Sequence, residues 1–337
     1  MARFRPSFCF RARPPFIRVR RKSNETSSPS ACSGYRAEVR RDALTMLTFT
    51  EMLESERFGA ARAEIGVIEG LATHFTSEDM AARITWRKWG AGPAVVLLHG
   101  AYGSWLHWLR NIAPLASANS VWVPDLPGFG DSILRDPANR TLDGVGVSLA
   151  RGFREIAGGE GEISIAGFSF GTRIAADMAS ELGARVRDLV LVGPHAFAER
   201  VEPQMKPRSW RAIRDLDEMI SAQKHNLAAI MFASPAAIDD AAIYIQMKNT
   251  FFAAIAVRAP AHAQFWNALR TRRGSIAAIW GEEDVYHKGV LPRRIDELRG
   301  RCPSARASII ARAGHWAMYE QANSFNSILR DFVSGTA

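Results

Sequence analysis

Cysteine is nearly absent. The 337 residues hold three, Cys9, Cys32 and Cys302, and only the last lies beyond position 45. A single thiol in the body excludes a disulfide framework and any cysteine-based zinc spacing there. Long apolar runs are also missing. None approaches the ~18 consecutive residues of a membrane-spanning helix. Charge of one sign is missing from most of the chain. The formal charge is +9, yet residues 1–45 carry ten Arg and one Lys against Glu25, Glu38 and Asp42, a net of +8. Positions 46–337 hold 32 basic and 31 acidic side chains. A body so near neutrality offers no electrostatic case for binding nucleic acid.

What is present suits a large core, with 47% apolar residues. Residues 1–45 lack apolar periodicity and are rich in Arg, Ser and Pro, with no acid before Glu25. They read as a disordered basic extension, either an organellar transit sequence or a stretch ahead of a true start at Met46. The expected location is the cytoplasm, or an organelle if the extension is a targeting signal. Folding is expected to begin near Asp42, with a helix through Met46, Leu47, Met52 and Leu53. Short apolar runs then alternate with helical spacing. Strands are predicted at Ala82–Trp89, Ala94–Leu98, Val121–Pro124, Ile163–Ala166, Leu189–Gly193, Ser275–Trp280 and Ala307–Ile310. Helices are predicted at Trp105–Ala116, Leu142–Ile156 and Thr172–Leu182. Such alternation predicts a mostly parallel sheet with helices on both faces. It stops between Pro194 and Ala268, where helical spacing runs from Trp210 to Met231 and from Ile238 to Val257. Residues 195–268 are therefore expected to form a helical lid between core segments 46–194 and 269–337.

Gly167-Phe168-Ser169-Phe170-Gly171 stands between a strand and a helix, the setting of a nucleophile elbow. Flanking glycines let a tight turn push the hydroxyl out beyond the sheet. Serine is inert near neutral pH without a base. Of eight histidines, His315 follows a strand near the C-terminus, in the chain order serine, acid, histidine. His99 ends a strand and reads as structural. His195 follows another strand, and His225 and His262 lie in the lid. The acid is expected at a strand end between serine and histidine. Asp284 in Gly281-Glu282-Glu283-Asp284 fits, with Glu282 and Glu283 as rivals at the same turn. The alternative acid position, Gly193-Pro194-His195, has no carboxylate. Attack on a carbonyl needs oxyanion donors already in place. Position nominates the backbone N–H of Phe170 and one from the His99-Gly100-Ala101 loop, with Ala101 the candidate. Asp125, Gly128 and Gly130 read as a structural turn, with Asp125 bonding backbone. No metal or organic cofactor is called for.

His-Gly after a strand, Asp-Leu-Pro-Gly-Phe-Gly-Asp-Ser at 125–132, the elbow, Gly-Glu-Glu-Asp at 281–284 and Ala-Gly-His-Trp at 313–316 follow one another in order. Together they resemble the α/β-hydrolase superfamily from Ala82 to Val333, in its serine-nucleophile branch. The resemblance implies an α/β-hydrolase fold with a helical lid inserted after the sixth strand. The elbow serine departs from haloalkane dehalogenases and epoxide hydrolases, which carry aspartate there. Gly314 to Glu320 with Phe325-Asn326 resembles the C-terminal signature of meta-cleavage-product hydrolases, which cut C–C bonds in vinylogous diketone acids. That family places a lid arginine on the substrate carboxylate, and Arg208, Arg211 and Arg214 are candidates. Phe168 before the serine and Gly171-Thr172 after it depart from that family's elbow, so the bond cleaved stays open between an ester, as in carboxylesterases, and a β-diketone. The expected pocket is largely apolar, with Trp105, Phe168 and Trp316 as lining candidates. Trp108, Trp210, Phe232, Phe251, Phe252 and Trp266 lie near the lid or loop. Alternatives on the same triad are acyl transfer and cofactor-free haloperoxidase chemistry. A non-catalytic small-ligand binding protein on this scaffold is the alternative outside enzymes. The partner is a small molecule, and homo-oligomerisation is left open.

Overall fold

The computed structural model describes residues 48–334, except 137, 140–141, 159–160, 196, 198–200 and 256–261. The expectations for the basic extension, with Cys9 and Cys32, and for a start of folding near Asp42 lie outside the described residues, while Met52 and Leu53 of the expected helix are buried in a described helix, Phe49–Glu54. Nine strands form one sheet: β1 (Thr73–Glu78), β2 (Ala82–Trp89), β3 (Ala94–Leu98), β4 (Ser120–Pro124), β5 (Ile133–Leu134), β6 (Ile163–Phe168), β7 (Val186–Val192), β8 (Ser275–Gly281) and β9 (Arg306–Ile310). Their order is β1-β2-β4-β3-β6-β7-β8-β9, with β5 beside β2. From β4 to β9 the neighbours run parallel, and β1 and β2 are antiparallel additions at one edge.

Side chains on successive strand residues point to opposite faces, and each face carries its own core. Val95 and Leu97 of β3 join Ala166 and Phe168 of β6 on one side. Val96, Leu98 and Ile165 face the other. This double burial explains why β3, β4 and β6 read as unbroken apolar runs. On the second face lie helices Val145–Ala157, Gly171–Leu182 and His262–Arg270. On the first lie Leu109–Ala116, Ala322–Val333 and Gly59–Gly70. Helix Gly59–Gly70 and strand β1 have no counterpart in the sequence reading. Strand β1, Thr-His-Phe-Thr-Ser-Glu, is an edge strand with one buried residue, Ser77, so it carries no apolar signal.

Between β7 and β8 the chain forms helices Leu216–Ile230, Asp240–Phe252 and His262–Arg270. The insertion follows β7, the sixth strand in chain order once the two-residue β5 beside β2 is set aside. The first two helices start later than their apolar spacing suggested because aspartates cap their N-termini. Asp215 accepts the Glu218 N–H (2.9 Å) and Asp239 accepts the Ala242 N–H (2.8 Å). Such caps close backbone donors that a helix start leaves open. These helices place Met219, Leu227, Ile243, Ile245 and Met247 in the same core as Leu109 and Tyr319. No described helix is long and apolar enough to cross a membrane.

Candidate active site

The three end loops that follow β6, β8 and β9 leave the sheet on the same side, at the C-terminal strand ends. Ser169 lies just past β6 with φ +51°, a left-handed conformation unfavourable for a side chain with Cβ. Neighbours hold it there. Its N–H donates to Val192 O (2.8 Å), and its own carbonyl accepts both the Thr172 N–H (3.0 Å) and the Thr172 hydroxyl (2.6 Å). Thr172, notable in the sequence only as a departure from one family, thus fastens the turn. The flanking glycines are required by space. A Cβ on Gly167 would collide with the Gly171 carbonyl, and one on Gly171 with the His99 carbonyl.

Asp284 and His315 come together from the loops after β8 and β9. Asp284 Oδ2 lies 2.7 Å from His315 Nδ1, and the carboxylate is wholly buried. Burial by itself would raise its pKa, but the charge and hydrogen bond of His315 outweigh this and hold it at about 2. Asp284 Oδ1 accepts the Tyr286 N–H (3.0 Å). The rival acids serve other partners: Glu282 accepts the Arg312 N–H (3.1 Å), and Glu283 pairs with Lys288 (2.9 Å). Gly193 closes the back of the pair. It has φ +53°, and a Cβ there would stand 3.0 Å from His315 Nδ1 and 3.3 Å from Asp284 Oδ2.

Glu320 ties the His315 loop to the insertion, a connection absent from the sequence reading. Its carboxylate accepts N–H groups of Gly314 (2.7 Å), Ala233 (2.9 Å) and Ser234 (2.9 Å). The Trp316 N–H also donates to Met231 O (2.8 Å). Gly314 permits this approach, since a Cβ there would press on Ala233 N and Phe232 C.

On the other side stands the loop after β3. His99 behaves as the structural residue expected. Its Nε2 accepts the Leu126 N–H (2.8 Å) and its Nδ1 meets Gly100 O (2.8 Å), which sets the proton on Nδ1. Burial lowers its pKa. The N–H groups of Ala101 and Phe170 donate to no backbone carbonyl among the described residues. Asp125 bonds backbone as expected, accepting the N–H of Trp105 (2.8 Å) and Asp131 (3.0 Å). It also pairs with buried Arg87 (3.0 Å), which the sequence did not reveal. Another buried histidine, His107, holds its ring 5.5 Å from that of Phe168 and 5.2 Å from Trp316. Burial keeps it well below the ordinary imidazole pKa.

The pocket candidates separate. Phe168 lies 4.9 Å from His315 ring to ring, and Trp316 packs among His107, Phe232 and Tyr319. Trp105 stacks on Trp89 and beneath Arg87, and Trp266 lies in the core of the second face. Phe251 and Phe252 are exposed. Arg208, Arg211 and Arg214 are exposed: Arg208 exchanges backbone bonds with Asn226, Arg211 lies over Trp210, and Arg214 donates to nearby carbonyls. None of these arginine contacts reaches Ser169, Asp284 or His315. No cluster of three or more His, Cys, Asp and Glu suited to a metal ion occurs among the described residues.

Residues 95–327 match the model of the alpha/beta hydrolase family. The chain belongs to that family. The mostly parallel sheet flanked by helices is the fold of that family. A 2-hydroxy-6-oxo-6-phenylhexa-2,4-dienoate hydrolase of Burkholderia cepacia is 28% identical over 266 residues, 73% of this chain and 89% of its own. The dihydrolipoyllysine-residue acetyltransferase component of an acetoin cleaving system from Cupriavidus necator is 28% identical over 260 residues. That match spans 74% of this chain and 66% of the other. A solved meta-cleavage product hydrolase, a point mutant, superposes with a TM-score of 0.62 at 21% identity, covering 77% of this chain and 98% of that one. This hydrolase-family chain shares its fold with that enzyme.

Proposed function

We propose that the chain is a serine hydrolase that works through an acyl-enzyme on a small, largely apolar ester or β-diketone. One observation carries the reading: a wholly buried carboxylate, Asp284, lies 2.7 Å from Nδ1 of His315, in a chain whose Ser169 is held at positive φ just past β6. Asp284 fixes the His315 tautomer with Nε2 free to take the Ser169 proton, and it stabilises the imidazolium that forms. Ser169 Oγ attacks the carbonyl carbon. The N–H groups of Ala101 and Phe170, without backbone carbonyl partners among the described residues, receive the oxyanion. His315 then returns its proton to the leaving group, and water releases the acyl group by the same steps in reverse. Residues 195–268 act as the lid, a role supported by the bonds of Glu320 and Trp316 to residues 231–234. The C–C substrate class draws support from the dienoate hydrolase relative.

The test is turnover of aryl esters and of a meta-cleavage dienoate, with fluorophosphonate labelling, by wild type and Ser169→Ala. Wild type should label and turn over, and Ser169→Ala should lose roughly 10⁴-fold or more. Preference for the dienoate assigns C–C hydrolysis, and preference for the ester assigns esterase action. Equal labelling of the two proteins would end the serine mechanism. Acyl transfer is the second reading, favoured by the acetyltransferase relative. An acyl-acceptor alcohol that diverts product from acid to ester would support it.

A further inference from the structure

His195 lies where this fold can place its acid, immediately after β7, and the structure gives it a contact of another kind. Its Nε2 stands 3.3 Å from Nε2 of His315. That is the atom which must accept the Ser169 proton, and His195 is its only hydrogen-bond partner among the described residues. Two ring nitrogens at this distance share one proton. His315 already commits its Nδ1–H to Asp284, so in the neutral state its Nε2 is an acceptor and His195 supplies the N–H. Serine and His195 therefore compete for one lone pair.

We propose that His195 is a positioning residue that occupies Nε2 of His315 in the resting enzyme and yields it to Ser169 when substrate enters. The inference rests on the serine-hydrolase reading above. The surroundings suit a neutral donor. His195 packs edge-on to Tyr286 (4.5 Å between centroids) and 5.6 Å from His287, with Asp284 and Arg294 as the nearby charges. Crowding by the protein and the adjacent His315 push its pKa down, although solvent reaches its outer edge. A cationic His195 would meet the imidazolium of His315 during catalysis, and a neutral one does not.

A resting contact that must break lowers the fraction of enzyme ready for substrate, so its cost falls on KM and not on kcat. A net hydrogen bond of about 1 kcal/mol corresponds to roughly a fivefold effect. The experiment uses the full chain as wild type, His195→Ala, His195→Gln and Ser169→Ala. It measures the fluorophosphonate labelling rate and the kcat and KM for an aryl acetate. His195→Ala should label about fivefold faster and lower KM about fivefold at unchanged kcat. His195→Gln, which keeps an N–H donor, should stay near wild type. His195→Leu replaces the Ala variant if that one does not fold. An unchanged or slower labelling rate overturns the proposal. So does a fall in kcat, which would put His195 in the proton path. Labelling of Ser169→Ala at the wild-type rate would instead overturn the parent reading.

Discussion

Acid should unfold this protein through His287 before it does so through the Asp284 carboxylate. His287 is 2% exposed, and neither ring nitrogen has a hydrogen-bond partner among the described residues. Its Nε2 is 3.9 Å from Asp284 Oδ2. Burial pushes its pKa down to about 4 against 6.5 in a free imidazole, overcoming the pull of Asp284. Between those values the unfolded chain binds a proton that the folded protein refuses, so stability falls as pH drops from 6.5 to about 4. At about 1.4 kcal/mol per pKa unit, the full gap is worth about 3 kcal/mol. Asp284 contributes in a lower window. With its folded pKa at about 2 against an ordinary 3.8, its stabilisation is present above 3.8 and lost toward 2. The assay is urea unfolding of wild type and His287→Phe at about pH 7.5 and about pH 4.5, above the Asp284 window. Wild type should lose some 2 to 3 kcal/mol more than the variant between the two conditions. The comparison of differences removes any fixed packing cost of phenylalanine. Equal losses would refute the buried, neutral assignment.

Two further substitutions probe the frame. Asp284→Asn should keep the fold and cut kcat by roughly 10⁴, since the amide favours the wrong His315 tautomer; a kcat within tenfold of wild type, by steady-state assay, would remove Asp284 from its role. Gly314 and Ala233 donate to one Glu320 oxygen and Ser234 to the other, so Glu320→Gln turns an N–H donor toward at least one of these amides and should cost about 2 kcal/mol by urea unfolding. It should also lower kcat, because the His315 loop loses its tie, and an unchanged kcat would show that the tie serves stability alone.

Much of the fold was legible because its causes are local. β3, β4 and β6 are apolar throughout because each is covered on both faces, and Gly167 of the elbow answers to a collision with Gly171 four residues on. Strand β1 and helix Gly59–Gly70 were not legible, since a polar edge strand carries little periodic signal. Serine, acid and histidine could be nominated from strand ends and chain order. Asp284 was the nominee over Glu282 and Glu283, and the structure adds where the three adjacent carboxylates point: Asp284 to His315, Glu282 to the Arg312 N–H and Glu283 to Lys288.

By itself, the sequence determined the alternating parallel sheet and the elbow at Ser169, because strand burial and tight turns impose residue types on their immediate neighbours. Tertiary structure alone decided which groups surround His315. His195 reaches it across 120 positions, and Glu320 reaches Ala233 across 87. Neither contact leaves a periodic or spacing signal. A side-chain contact between loops depends on where distant strand ends lie in space, and only the folded sheet supplies that.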